Sequence, residues 1–275
     1  MIAVAAHETS ARIEAFDGIA GEYDTRFTNS LIGRAQRASV WRELDNLFHS
    51  GQRVLEINCG TGVDAAHLAD RGIHMVACDG SPEMVAVARQ RLQRSAHGDH
   101  IDLHVLAIEQ IGNLAKDGPY DGVVSNFSGL NCVEDLHPVA RDLAGLVKPG
   151  GKAVLCIFGR YCAWEMLWYA FHGNFRKALR RLGRKGNETQ LAPGRSIRIW
   201  YPSINSLRQD FAKYFRLVGW KGTAVLIPPS YLEPWAVRLP QLFRFAVRID
   251  PFLCRCPGLR TFSDHVVLVM ERVET

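Results

Sequence analysis

The segment Glu56-Ile57-Asn58-Cys59-Gly60-Thr61-Gly62 puts a carboxylate and two glycines between an apolar run and the start of a helical pattern. Strand, glycine loop and helix in that order let a nucleotide approach the backbone closely, with the first helical N–H groups aimed at it. Gly60, Gly62 and Ala65 also satisfy the dinucleotide pattern GxGxxG/A, so a domain for NAD or FAD is a rival reading. Two carboxylates oppose it. Glu56 precedes the loop and Asp64 falls in the first helical turn, where a pyrophosphate needs the unopposed positive end of the helix. They favour a ligand that is cationic and free of phosphate. Asp79, at the end of the next apolar run, supplies a carboxylate able to accept from both hydroxyls of a ribose.

Residues 54–158 resemble the class I methyltransferases, whose first motif is a hydrophobic strand, an acidic residue and a GxGxG loop. Asn58 stands in place of that family's first glycine, and Asn is among the few residues that adopt positive φ readily. The resemblance implies S-adenosylmethionine as cofactor, a sulfonium and ammonium cation without phosphate, held by Glu56, Asn58, Cys59, Gly60 and Gly62, then by Asp79, Gly80 and Met84. It implies that Tyr23, in Phe16-Asp-Gly-Ile-Ala-Gly-Glu-Tyr-Asp, hydrogen-bonds the methionine end. Ala107, Ile108 and Glu109 are expected to flank adenine, with Ala107 where the family often has an acid. Ser125, Asn126 and Phe127 are expected to line the sulfur, core packing being the alternative for Phe127. The fold implied is α/β and Rossmann-like: a seven-stranded, mostly parallel sheet with helices on both faces, an antiparallel last strand and lid insertions. The activity implied is methyl transfer by in-line displacement; a cofactor-binding protein without catalysis is the other class.

The elements that position these residues are legible as alternating strand and helix patterns, which predict a parallel sheet. Strands are expected over 54–57, 74–78, 102–106, 120–125 and 152–158, and helices over 63–71, 82–92 and 138–146. Ser81 and Pro82 are the cap and first position of the second of these helices. After Phe158 an aromatic, basic helical stretch covers 163–184, kinked at Gly173-Asn174, followed by a loop to Gly194. A last core helix is expected over 206–215, strands over 219–227 and 265–273, and a Pro-rich excursion over 228–257. Residues 1–50 then form a helical cap, 51–160 and 203–275 the core, and 161–202 and 228–262 insertions on the substrate side.

The insertions set the surroundings of the acceptor. Trp164, Leu167, Trp168, Phe171, Phe175, Leu179 and Leu182 recur at three- or four-residue intervals opposite Arg176, Lys177, Arg180, Arg181, Arg184 and Lys185. A lid over the pocket is the plain reading, and a largely apolar or aromatic small molecule the expected acceptor. A peripheral contact with an anionic membrane through 163–185, delivering a lipid-linked or quinone substrate, is the alternative. RNA methylation is the weakest, because no RNA module or stacking motif accompanies the basic strip, and the net charge of +5 does not imply nucleic acid. His172, Asp264 and His265 lie in or beside the insertions and are the candidates for removing a proton from a hydroxyl acceptor. Cys254 and Cys256 lack a CxxC spacing or a nearby His, so no metal site is expected. Charged residues interrupt the first fifteen positions and no long apolar run follows, which points to a cytoplasmic chain with reduced thiols.

Overall fold

A computed structural model describes residues 2–274. The chain opens with α1 (Ile2–Asp17), α2 (Ala20–Tyr23), a π-helical turn over Asp24–Thr28 and α3 (Leu31–Leu47), begun by the Ser30 hydroxyl, which accepts from Gly33 N at 2.9 Å. Then come β1 (Arg53–Ile57), α4 (Val63–Ala69), β2 (His74–Asp79), α5 (Pro82–Leu92), β3 (Ile101–Val105), β4 (Tyr120–Ser125), α6 (His137–Leu146) and β5 (Val147–Phe158). Ser81 caps α5, its hydroxyl accepting from Met84 N at 3.1 Å, and Pro82 takes the first helical position. The first insertion holds α7 (Ala163–Phe171), α8 (Phe175–Ala178) and the hairpin β6 (Asn187–Ala192) and β7 (Arg195–Ile199). The chain closes with α9 (Ile204–Phe211), β8 (Phe215–Thr223), α10 (Glu233–Arg238), α11 (Pro240–Leu253) and β9 (His265–Arg272).

Seven strands form one sheet in the order β3-β2-β1-β4-β5-β9-β8, with β9 antiparallel to both neighbours. Alternation along β1 divides the core. Leu55 and Ile57 pack on one face with Tyr120, Val123 and the residues of α6 and α9; Val54 packs on the other with Val124, Leu44 and Leu68. Truncating a residue as buried as Leu55 to Ala would cost about 2–5 kcal/mol. The strand order reverses at β1 and β4, and a ligand crevice is expected outside the carboxyl ends of those strands.

Four local expectations need correction. The stretch 163–184 is not one helix: α7 ends, Gly173 turns at φ +72, and Asn174 caps a short α8 by accepting from Lys177 N. The expected loop to Gly194 is a hairpin whose Ile197 and Ile199 pack on Ala15 of α1. The last parallel strand begins at Phe215 rather than Gly219, because Phe215 and Leu217 pair with Arg272 and Met270 of β9. The Pro-rich excursion contains two helices, with Pro251 inside the last turns of α11.

Candidate functional site

The loop after β1 turns through three left-handed residues, Asn58 (φ 56°), Gly60 (φ 53°) and Gly62 (φ 71°). Asn58 adopts the conformation asked of the missing glycine, and Gly129 makes room for its side chain. A Cβ at position 129 would stand 2.5 Å from Asn58 Cβ. Asp79 ties the loop to β2: one carboxylate oxygen accepts from Gly60 N and the other from Ser81 N, both at 2.9 Å. Asp24, in the π-helical turn, accepts from the Thr61 hydroxyl at 2.7 Å and pairs with Arg91.

Below this loop lies a cavity. Tyr23, Asn58, Cys59, Gly60, Asp79 and Gly80 line it, as do Met84, Ala107, Ile108, Asn126 and Phe127. Four expected residues stand elsewhere. Glu56 is 1% exposed behind the loop; burial, with Asp64 adding to it, pushes its carboxyl well above the usual range. Gly62 is a packing glycine, where a Cβ would meet Ala88 at 2.9 Å. Glu109 faces outward to Arg12, which holds both carboxylate oxygens at 2.7 and 2.8 Å. Ser125 is fully buried in β4.

The sequence reading missed Arg37, which reaches in from α3. Its guanidinium donates to Asp64 at 2.5 Å and lies 4.6 Å above the Phe127 ring. Trp41 Nε1 and Asn126 Nδ2 also donate to Asp64, at 2.6 and 2.9 Å. Asp64 lines the cavity, yet its charge is already met, so its part in selecting a cationic ligand is smaller than the sequence suggested. Arg37 Nε and Asn58 Nδ2 are buried with no hydrogen-bond partner among the described residues. Two donors therefore await an acceptor at one end of the cavity, and a carboxylate faces it at Asp79. No described residue obstructs the space beside Gly60, where a Cβ would meet nothing within 4 Å.

Phe16, Tyr23, Arg37, Phe127 and Cys132 also line a second cavity of about 240 Å³. Phe127 and Ser128 follow β4 at φ 48° and 70°, a turn fixed by Ser128 N donating to Cys156 O at 3.0 Å. That turn puts the Phe127 ring between the two spaces. The second cavity is walled by Phe27, Phe158, Leu191, Ile197 and Ile199, with Gln36, Thr189, Tyr201 and Tyr231 as neutral polar groups and Glu165, Arg180 and Arg181 as charged ones. Asp264 and His265 line it as well. His265 is 5% exposed, stacks on Phe158 at 4.7 Å and meets the edge of Phe127 at 5.5 Å. Its Nδ1 lies 3.3 Å from Asp264, a close polar contact rather than an aligned hydrogen bond. His172 is exposed on α7's far end, bonded to Trp168 O, and lines neither cavity.

Arg180 and Arg181, expected on the basic side opposite the apolar stripe, turn inward. Arg181 is 5% exposed and donates to Glu165 at 2.9 Å and Asp264 at 2.8 Å, while Arg180 takes Glu165 through two further bonds. Burial alone would raise the Asp264 carboxyl; His265 and Arg181 outweigh it and hold the group well below the usual range.

Residues 54–151 match the family model described as a methyltransferase domain. The chain is 29% identical to the demethylmenaquinone methyltransferase of Beutenbergia cavernae over 212 residues, covering 75% of this chain and 81% of that protein. The enzyme of that name from Mycobacterium marinum is 28% identical, with 74% and 83% covered. Among solved structures, a DhpI–SAH complex aligns with a TM-score of 0.58 at 17% identity, covering 98% of both chains. A putative S-adenosylmethionine dependent methyltransferase from Listeria monocytogenes aligns at 0.57 and 14%, covering 86% of this chain and all of that one. At such identities these structures establish the fold. Among the described residues no helix is long and apolar enough to cross a membrane.

Proposed function

This chain is a class I S-adenosylmethionine-dependent methyltransferase, and from that premise we propose that it methylates a small hydroxylated aromatic acceptor of quinol type in the second cavity. One observation carries the proposal: Phe127, Tyr23 and Arg37 belong to the walls of both cavities, so a donor in one and an acceptor in the other share a boundary. Alignment across such a boundary supplies much of the catalysis of an in-line displacement.

The residues present fit the cofactor. Arg37 Nε and Asn58 Nδ2 are the donors a methionine carboxylate lacks elsewhere. Asp79 would take the ribose hydroxyls, the open side of Gly60 would admit the nucleoside, and Met84 and Ile108 would flank it. When bound, adenosylmethionine supplies an electrophilic methyl group on a sulfonium. His265 would remove the acceptor's hydroxyl proton. Asp264 places its negative charge 3.3 Å from Nδ1, beside the ring that would take the proton. The resulting phenolate is nucleophilic at its oxygen and at the adjacent ring carbon. Phe127, Phe158, Leu191 and Ile197 would shield its ring from water, while Arg37 in the same wall offers a positive charge to the developing anion.

The names of the relatives, which specify demethylmenaquinone, support a quinone-type ring. A second reading places a lipid tail on that ring and a contact with an anionic membrane through 163–185. Phe171 and Phe175, exposed beside Arg176 and Lys177, favour it. Incubation with labelled adenosylmethionine and a panel of reduced quinones, phenols, amines and thiols tests the acceptor. Label confined to amines or thiols would overturn the proposal. Asp79→Ala should weaken donor binding roughly 30-fold, about 2 kcal/mol, in calorimetry.

A further inference from the structure

The two insertions present an apolar surface that no described residue covers. Phe171, at the end of α7, is 85% exposed, and Phe175 of α8 is 66% exposed. On α11, Leu242, Phe245 and Phe252 are 62%, 60% and 70% exposed, with half-buried Ile249 completing a stripe at helical spacing. The opposite side of the same helix, Phe243 and Val247, packs on Ile32, Ala224 and Ile227. Helix α11 is thus apolar on two sides, and the fold satisfies one of them. The insertions are joined, because Trp168 of α7 meets Trp235 of α10 edge to face at 5.3 Å.

Charge on this surface has one sign. Arg176, Lys177, Arg184 and Lys185 are exposed in 161–185, and Arg238, Arg244, Arg248 and Arg255 in 231–262. The acids of the same segments all point inward. Glu165 binds Arg180 and Arg181, Glu233 accepts from the N–H groups of Leu31 and Ile32, and Asp250 accepts from Leu226 N and Ala224 N. No exposed carboxylate remains in either segment.

We propose that the outer stripe of α11, linked to α7 through Trp235 of α10 and Trp168, docks on an anionic lipid bilayer. Phenylalanine and leucine enter the acyl boundary and the flanking arginines meet lipid phosphates. An anionic bilayer matches both features: the apolar stripe needs a dry partner, and the unopposed cations need a negative surface. Tyr231, exposed at the start of this insertion, also lines the acceptor cavity, so the docked face borders the cavity that an apolar acceptor must enter. The inference extends the membrane contact beyond 163–185, sharing the membrane with the second reading of the acceptor but not depending on which molecule is methylated.

Co-sedimentation of the full chain with vesicles tests it, without donor or acceptor present. Vesicles with about 30% phosphatidylglycerol should bind the chain, pure phosphatidylcholine far less, and about 0.5 M salt should reduce the difference. Arg244→Gln with Arg248→Gln should lower affinity roughly fivefold per arginine. Leu242→Ser with Phe245→Ser should lower it further, with melting temperature and donor affinity unchanged in both variants. Equal binding to neutral and anionic vesicles would overturn the proposal, as would wild-type binding by both variants. A dimer in light scattering that Phe245→Ser disperses, without vesicle binding by the parent, would assign the face to a second copy instead. Vesicle binding is read independently of methyl transfer, so failure of the acceptor assignment leaves it standing.

Discussion

Nδ1 of His265 lies 3.3 Å from Asp264 Oδ2, in a cavity that Phe127, Phe158 and Leu191 line together with Arg37, Arg180 and Arg181. Replacing His265 by Gln should lower kcat about 10²–10⁴-fold while donor affinity is retained, since a positioned base typically contributes that much. Single-turnover kinetics with a hydroxylated acceptor reads it. A loss below roughly threefold would leave His265 a packing residue.

Asp264 should also register in stability. Its folded-state carboxyl is held below the unfolded value by His265 and Arg181 against the cost of burial. Folding therefore favours ionisation, and the contribution is complete above about pH 4 and fades as pH falls toward the folded value. Asp264→Asn should be clearly less stable than the parent in urea at pH 7, with the gap narrowing at pH 3. A gap that widens on acidification would contradict this.

Glu56 has the opposite sign. Burial and the neighbouring Asp64 raise its carboxyl, so its ionisation opposes folding as pH rises above the unfolded value. Glu56→Gln should melt higher than the parent at pH 8 and equal to it at pH 4. Donor affinity should change by less than about threefold, because Glu56 lines neither cavity. A tenfold loss would return it to the ligand set.

Gly129 and Asn58 should show a one-way dependence. Gly129→Ala drives a methyl group into Asn58 Cβ, Cγ and Nδ2 at 2.5–2.7 Å, and should destabilise by about 1–3 kcal/mol. Asn58→Gly removes all three atoms and suits φ 56°, so the double variant should recover most of the loss. A double-mutant cycle in urea measures the coupling, and additivity would mean the two positions do not share the space.

The strand, loop and helix around Gly60, with Asp79 at the end of β2, were legible because each rests on local signals: a buried run, a positive-φ position, a capping serine. What the sequence hid is long-range. No periodicity says that Arg37 of α3 pairs with Asp64, or that Glu109 turns away to Arg12. The Arg180 and Arg181 side chains read as part of the basic side opposite the apolar stripe because helical spacing cannot reveal Glu165 beneath them. The β6–β7 hairpin was passed over because Pro193-Gly194 looked like loop, while its alternating Ile197 and Ile199 were too few to outweigh Arg195 and Arg198.

The polar links that fasten the first two helices and the π-helical turn across the donor cavity include Arg12 to Glu109, Asp17 to the Ser81 hydroxyl, and Asp24 to Thr61 and Arg91. We expect donor exchange to proceed by lifting of the cap, which would carry Phe16 and Tyr23 out of the acceptor cavity they also line. The expected kinetic scheme is compulsory: donor on first, acceptor second, methylated product off, spent donor last. Product-inhibition patterns should then show the spent donor competing with fresh donor alone. Turnover would be limited by how fast the cap reopens, so loosening a latch such as Arg12 should trade donor affinity for speed.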